Sequence, residues 1–112
     1  MARHLDVATP NGTRRVPVYP SPVKGLVIHR PLYAKPGARL YVVTHAATGY
    51  VLSQDTWPSR RLAGYAAWLC ADLADWSLTD PAAVAKSTRR GDTPRERWRA
   101  LRAAVDLGDI RA

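Results

Sequence analysis

The apolar residues of this chain change their spacing near Trp57, and no other feature of the sequence limits the fold as much. Between Gly25 and Ser53 they follow a two-residue rhythm, as on a pleated strand with one face buried. From Leu62 onward they recur every three or four residues, as on a helix that buries one stripe. Strands first and helices second, without alternation, predict an α+β domain with helices gathered on one sheet face. The expected architecture is an antiparallel three- to four-stranded meander followed by two helices.

The strands read as follows. Leu26 and Ile28 alternate with Val27 and His29 within residues 25–33. Lys35-Pro36-Gly37 supplies a turn, because Pro presets φ and Gly accepts positive φ. Residues 39–45 form the best strand, and Ala46-Ala47-Thr48-Gly49 returns the chain through residues 50–53. This turn would put His29 opposite Val42 or Val43, and His45 opposite Leu26 or Val27. The run Arg14 to Tyr19 has strand residues, but Pro17 has no N–H to give a ladder, which predicts an edge position. Residues 1–12 show little periodicity and read as a mobile arm, leaving residues 13–112 as a single domain.

Two helices are expected. The first spans residues 59–76, with Thr56 or Ser59 as cap, Pro58 in the first turn, and Leu62, Tyr65, Ala66, Leu69, Leu73 and Trp76 as the buried stripe. Leu69 lies at its centre. A short helical turn after Asp80-Pro81 and a basic loop over residues 86–92 follow. The second spans residues 94–107: Thr93 and Glu96 have capping-box spacing, Pro94 suits the first turn, and Gly108 can stop the helix. Trp98, Leu101 and Val105 form its stripe. The strand–strand–strand–helix order over roughly residues 26–76 resembles the small DNA-binding domains at the N-termini of phage integrases and in AP2-type factors, in element order alone and without a family motif.

Hydrophobic residues make up 46% of the chain, too many for a disordered polymer, and no stretch approaches a membrane span. Cys70 is the only cysteine, so no intrachain disulfide forms, and a reducing cytoplasmic location is expected. Its apolar helical surroundings favour a buried thiol over a nucleophile.

No arrangement for catalysis emerges. His29 and His45 fall several residues apart along the sheet, with no carboxylate on a strand to orient either ring. A metal-independent ribonuclease is the form an enzyme would take here, with these histidines acting beside Arg or Lys. Asp72 and Asp75 have helical spacing but lack further ligands for a metal. Phosphate-loop, dinucleotide, nucleophile-elbow and CxxC motifs are all missing. The expectation is a non-enzymatic binding protein without cofactor or metal.

Charge points to what it would bind. The net charge is +8, distributed as +6 over residues 1–54, −2 over 55–85 and +4 over 86–112. Of 17 basic residues 14 are arginine, a bias that codon usage in a GC-rich genome also produces, although it does not explain the excess over acids. Arg95, Arg99 and Arg102 occupy i, i+4 and i+7 of the last helix, with Lys86, Arg89 and Arg90 on the preceding loop. Together they could track a phosphate backbone, with Arg14 and Arg15 adding charge upstream. The plain alternative is a solvated face, with Arg99 paired to Glu96 and Arg102 to Asp106. Trp68 lies at the edge of the first helix's stripe, to be covered by the second helix or by a protein partner. Nucleic acid contacted through phosphates is the first expectation. The second is an inhibitor or adaptor of the phage or mobile-element kind, docking on an acidic protein surface.

Overall fold

The computed structural model describes residues 3–10, 12–35 and 37–108. Seven elements follow in order: β1 (Arg3–Thr9), β2 (Gly12–Pro20), β3 (Leu26–His29), β4 (Val42–His45), α1 (Arg60–Leu69), α2 (Pro81–Ser87) and α3 (Pro94–Asp106). The strands make one antiparallel sheet in the order β1-β2-β3-β4, and the class is α+β.

The expected pairing of β3 with β4 is present, and of the two partners expected for each histidine the register takes one: His29 lies opposite Val42 and His45 opposite Leu26. Residues 3–9, expected within an arm, instead form β1, which pairs with β2 from Arg3↔Val18 to Thr9↔Gly12. The apolar members Leu5 and Val7 alternate with His4 and Asp6, and this short pattern becomes a strand only by pairing with Val16 and Val18. Pro17 therefore sits in a strand with neighbours on both sides. It breaks no ladder, because β2 pairs with β3 only at Tyr19 and Pro20.

Beyond that junction the β1–β2 ribbon bends over the sheet face away from the helices. Val7, Val16 and Val18 make a second, small cluster there with Leu5 and Val27. His4, Leu5, Asp6 and Arg15 approach the Ala46–Gly49 turn and share a depression with it. As a result β4 is buried on both faces.

The third strand of the expected meander does not form a ladder. Val51 makes one bridge to Thr44, and Trp57 makes another to Tyr41. Between them a Ser53–Asp55 turn, closed by Ser53 Oγ donating to Asp55 at 2.7 Å, pulls the chain off the β4 edge. The three-strand unit that resembled the integrase domains is accordingly not the one present.

The main core lies between the sheet and the helices. Leu26, Ile28 and Val43 meet Leu62, Ala63, Ala66 and Ala67 of α1, and Trp57, Trp98 and Leu101 complete it from the α3 side. Both long helices thus occupy one face of the sheet, as expected, and α3 also packs against α1. The alanines let α1 approach the strands closely, so the two indoles supply much of the bulk. Trp57 and Trp98 meet edge to face, with centroids 5.5 Å apart and planes at 86°, an arrangement worth about 1 kcal/mol beyond area burial.

Helix α1 starts as expected, with Ser59 Oγ accepting from Leu62 N at 3.1 Å, but it ends at Leu69 rather than Trp76. Short-range bonds from Cys70 N to Ala67 O and from Ala71 N to Trp68 O tighten its end. The other carbonyls there are taken by side chains from beyond the helix, two of them from α3. Trp98 Nε1 donates to Ala66 O at 2.7 Å, Arg97 Nη1 to Leu69 O at 3.0 Å, and Trp76 Nε1 to Cys70 O at 2.8 Å. The groups that an α-helix leaves open at its C-terminus are therefore satisfied here. The tightened turns carry Leu73 into the core and Trp76 against His45.

Helix α3 has the expected cap: Thr93 Oγ1 accepts from Glu96 N at 3.1 Å and Pro94 opens the first turn. The Glu96 carboxylate pairs with Arg99. Gly108 takes φ +76° and closes the end. Helix α2 has no buried residue and places Lys86 in its last turn.

Candidate docking groove

Tyr65, an expected member of the α1 stripe, and Trp68, expected at its edge, both face outward. Tyr65 is 51% exposed and Trp68 57% exposed, with ring centroids 5.8 Å apart. Neither helix covers Trp68. The short α1 and its close seating on the strands put Leu62, Ala63, Ala66 and Ala67 inward. One helical face cannot also bury Tyr65 and Trp68. Leu69, expected at the centre of the core stripe, is only partly buried.

These aromatics wall an open groove of about 910 Å³ between α1 and α3. On α1 the groove-lining positions include Arg61, Gly64, Tyr65 and Trp68; on α3 they are Arg97, Ala100, Leu101 and Ala104. Both sets run i, i+3, i+4, i+7, the spacing of a single helical face. Pro20, Pro22 and Ile28 close the end nearest the sheet. Among the described residues, three arginines, Arg60, Arg61 and Arg97, line the groove, and no carboxylate does. The Arg60 guanidinium lies over the Tyr19 ring, 4.4 Å from its centroid.

Arg97, absent from the sequence-derived site, is the most heavily engaged cation. It donates to Asp92 through Nε at 2.9 Å and Nη2 at 2.6 Å, and to Asp72 through Nη1 at 2.6 Å. These hydrogen bonds hold the Asp72 and Asp92 carboxyls below the usual range and raise the guanidinium above its own. The ties fix the Arg97 end of the groove to the end of α1 and the start of α3.

Each member of the expected basic stripe has a partner within the chain, although the Arg95 and Arg99 side chains stay 74% and 75% exposed. Arg95 lies 3.8 Å from Asp55, and Arg99 pairs with Glu96 at 2.6 Å. Arg102 sits over the Trp57 ring, 4.2 Å from its centroid, and donates to Thr56 O. It does so in place of the expected pairing with Asp106. The depression beside this stripe is lined by Asp55, Arg95, Trp98, Arg99, Arg102, Ala103 and Asp106, with none of Lys86, Arg89 or Arg90. The groove expected between loop and stripe is thus not the one described. Arg89 is turned to Asp72 at 3.2 Å. Lys86 and Arg90 are exposed, as are Arg14 and Arg15 on the ribbon, where Arg15 meets Asp6 at 3.4 Å.

Both strand histidines are core residues, on opposite faces of the sheet. His29 Nδ1 donates to Arg30 O at 2.8 Å, and Nε2 accepts from Thr44 Oγ1 at 2.6 Å. Burial holds its pKa below the ordinary histidine value. His45 Nε2 donates to Trp76 O at 2.8 Å, and Nδ1 accepts from Thr48 Oγ1 at 2.9 Å. Cys70 is buried, and burial pushes its thiol up to about 11. Among the described residues no three His, Cys, Asp or Glu side chains gather to hold a metal ion, and no helix is long and apolar enough to cross a membrane.

Sequence reasoning raised Trp68 as a contact but missed its setting. The available signal was the set of small-residue positions, Gly64 on one helix and Ala100 and Ala104 on the other, interleaved at helical spacing with Tyr65, Trp68 and Leu101. Comparison with protein-family models, with curated proteins and with solved structures finds no match to this chain.

Proposed function

We propose that the protein is a non-enzymatic docking module that binds a protein partner through the groove between α1 and α3. The observation that carries this reading is the exposure of Trp68 and Tyr65 along an apolar groove of about 910 Å³. Exposed apolar patches of this kind mark interaction sites, and Trp, Tyr and Arg dominate binding energy where they occur. The engagement of Arg95, Arg99 and Arg102 with Asp55, Glu96 and Trp57 favours the groove over the stripe as the main contact.

Affinity capture from nuclease-treated cell extract tests this. Wild type retains a partner protein, and a folded Trp68→Ala variant loses it. Equal retention by both would refute the reading.

A separate observation favours nucleic acid as a second reading. The β3–β4 connection carries Arg30, Lys35 and Arg39 with no acid, and it displays Tyr33 at 70% exposure. Cations interleaved with an exposed aromatic suit a single strand, by phosphate neutralisation and base stacking. Retardation of labelled RNA and DNA at several salt concentrations tests it. Binding that weakens steeply with salt and drops in Tyr33→Ala is the expected result, and no binding at low salt would remove it.

A further inference from the structure

We infer that two copies of this chain associate through the outer edge of β1, antiparallel and in register about Leu5. The inference concerns a surface other than the groove, which lies on the helix face of the sheet, and does not depend on the docking reading.

Hydrogen-bond parity defines the edge. Thr9 and Gly12 face each other across a two-residue turn, so they exchange backbone hydrogen bonds with one another. Counting back in twos, Val7, Leu5 and Arg3 turn their N–H and C=O groups to β2, whereas Ala8, Asp6 and His4 turn theirs outward. β1 ends the strand order, and among the described residues no backbone group pairs with it from outside. His4 and Asp6 are exposed, and an open depression of about 480 Å³ lies between them and the Ala46–Gly49 turn.

The other edges are closed by the chain itself. Beside β4, Tyr41 exchanges backbone hydrogen bonds with Trp57, Leu52 N donates to Val43 O at 2.9 Å, and His45 N donates to Tyr50 O at 2.9 Å. On β2 the outward positions before the junction with β3 are Thr13, Arg15 and Pro17, and Pro17 brings no donor. An open edge is a template for pairing with another chain. One such edge per molecule gives a closed, two-fold pair rather than a fibre.

The sequence of β1 suits a second copy in one register. With Leu5 opposite Leu5 of the second copy, each His4 lies opposite the other molecule's Asp6. These are the hydrogen-bonded pairs of the new ladder, and each sets a carboxylate beside an imidazole. Asp6 keeps Arg15 on its own molecule at 3.4 Å, and a carboxylate has acceptor sites for both. A shift of two residues one way sets Asp6 against Asp6, like charges directly opposite, and the other way sets His4 against His4. A shift of one residue breaks the hydrogen bonds and turns the side chains to the wrong faces. Leu5 is partly buried at the rim of the Val7, Val16 and Val18 cluster. It meets its copy in a non-hydrogen-bonded pair, with Cα atoms about 4.5 Å apart, so the two small clusters join. The strip is short against the ~1,600 Å² of a standard interface, so the dimer is weak, with a Kd of about 0.1–1 mM.

Sedimentation equilibrium at about 0.15 M salt, which screens the repulsion between two chains of net charge +8, tests this. Wild type should rise from the monomer mass at about 20 µM towards the dimer mass at about 1 mM. His4→Pro removes an outward N–H and sets its ring in the partner's path. It spares the β1–β2 ladder, because His4 faces Pro17 in a non-hydrogen-bonded pair. Once circular dichroism shows that it folds, this variant should stay monomeric, with Kd raised at least about tenfold. Asp6→His should weaken the dimer, and His4→Asp/Asp6→His should restore it, because the exchange keeps each carboxylate opposite an imidazole. Leu5→Cys should cross-link between molecules under a mild oxidant faster than His4→Cys or Asp6→Cys, since position 5 alone lies on the two-fold axis.

A monomer at about 1 mM, or a dimer that folded His4→Pro leaves unchanged, would overturn the inference. Faster cross-linking at position 4 or 6, or a double exchange no better than Asp6→His alone, would overturn the register. Trp68→Ala, on the other side of the sheet, should leave the dimer intact; its loss in that variant would place the contact in the groove instead.

Discussion

The two indoles at the centre of the core should respond very differently to the same truncation. Trp57 and Trp98 are both buried, and each loses a similar ring volume on replacement by Phe. That packing loss is about 1–2 kcal/mol, a fraction of the 3–5 kcal/mol for full truncation to Ala. Their N–H groups differ. Trp98 Nε1 donates to Ala66 O at 2.7 Å, whereas Trp57 Nε1 is buried without a partner. Trp98→Phe therefore also strands a carbonyl at the end of α1, at about 1–3 kcal/mol. Trp57→Phe removes a group whose burial already costs about that much, and gives back only part of the Arg102 stacking energy, about 1 kcal/mol. The expected costs are about 3 kcal/mol for Trp98→Phe and under about 1 kcal/mol for Trp57→Phe. The gap of about 2 kcal/mol corresponds to roughly 8 °C in Tm for a domain of this size. Urea unfolding followed by far-UV circular dichroism measures it without relying on the removed fluorophores. Equal costs at unchanged m-values, or a larger cost for Trp57→Phe, would refute the hydrogen-bond assignment.

Three further outcomes follow from the geometry. Gly25→Ala should destabilise by several kcal/mol: φ is +95° there, and a Cβ would come within 2.6 Å of Trp76 O, the acceptor for His45. Thermal melts check it, and a loss under about 1 kcal/mol would show that the Trp76 turn yields easily. His29 contributes stability that is complete above pH ~6.5, where the ring is neutral in both states. It is lost as pH falls from there towards the lowered folded pKa, because the unfolded chain takes the proton first. The wild-type minus His29→Asn stability difference should therefore shrink between pH 7.5 and 5.5, and a constant difference would contradict the buried neutral ring. Cys70, with its thiol pushed up to about 11, should react with a thiol reagent far faster in urea than in the native protein. Comparable rates would indicate an accessible sulfur.

The parts of the fold fixed by local chemistry were readable from the sequence. The β3–β4 register followed from one turn, and the starts of α1 and α3 from Ser59 and Thr93. What escaped depended on partners distant in the chain. β1 has only Leu5 and Val7 as an apolar pattern, and it exists because Val16 and Val18 lie across from them. The early end of α1 is hidden because no Gly or Pro marks it; side chains at 76, 97 and 98 satisfy the open carbonyls instead. The site divides in the same way. Arg spacing on α3 was correctly seen as a stripe, but the groups that occupy it, Asp55 and Trp57, come from another part of the chain. The outward turn of Trp68 was a matter of which α1 residues the strands claim, and a helical wheel alone cannot rank Tyr65 against Ala63.

The hydrogen bonds that finish α1 have a consequence for synthesis on the ribosome. A chain emerging N-terminus first exposes Ala66 and Leu69 about 30 residues before their donors on α3 appear. Until Arg97 and Trp98 arrive, the helix end has open carbonyls, and Trp57 lacks its edge-to-face neighbour. Completion of the main core therefore waits for α3, which brings these donors and the Trp98 ring. A protease cut in the loop around Arg90 would act like interrupted synthesis. It would separate α3 from the carbonyls it serves, making a break at the surface a threat to the whole core.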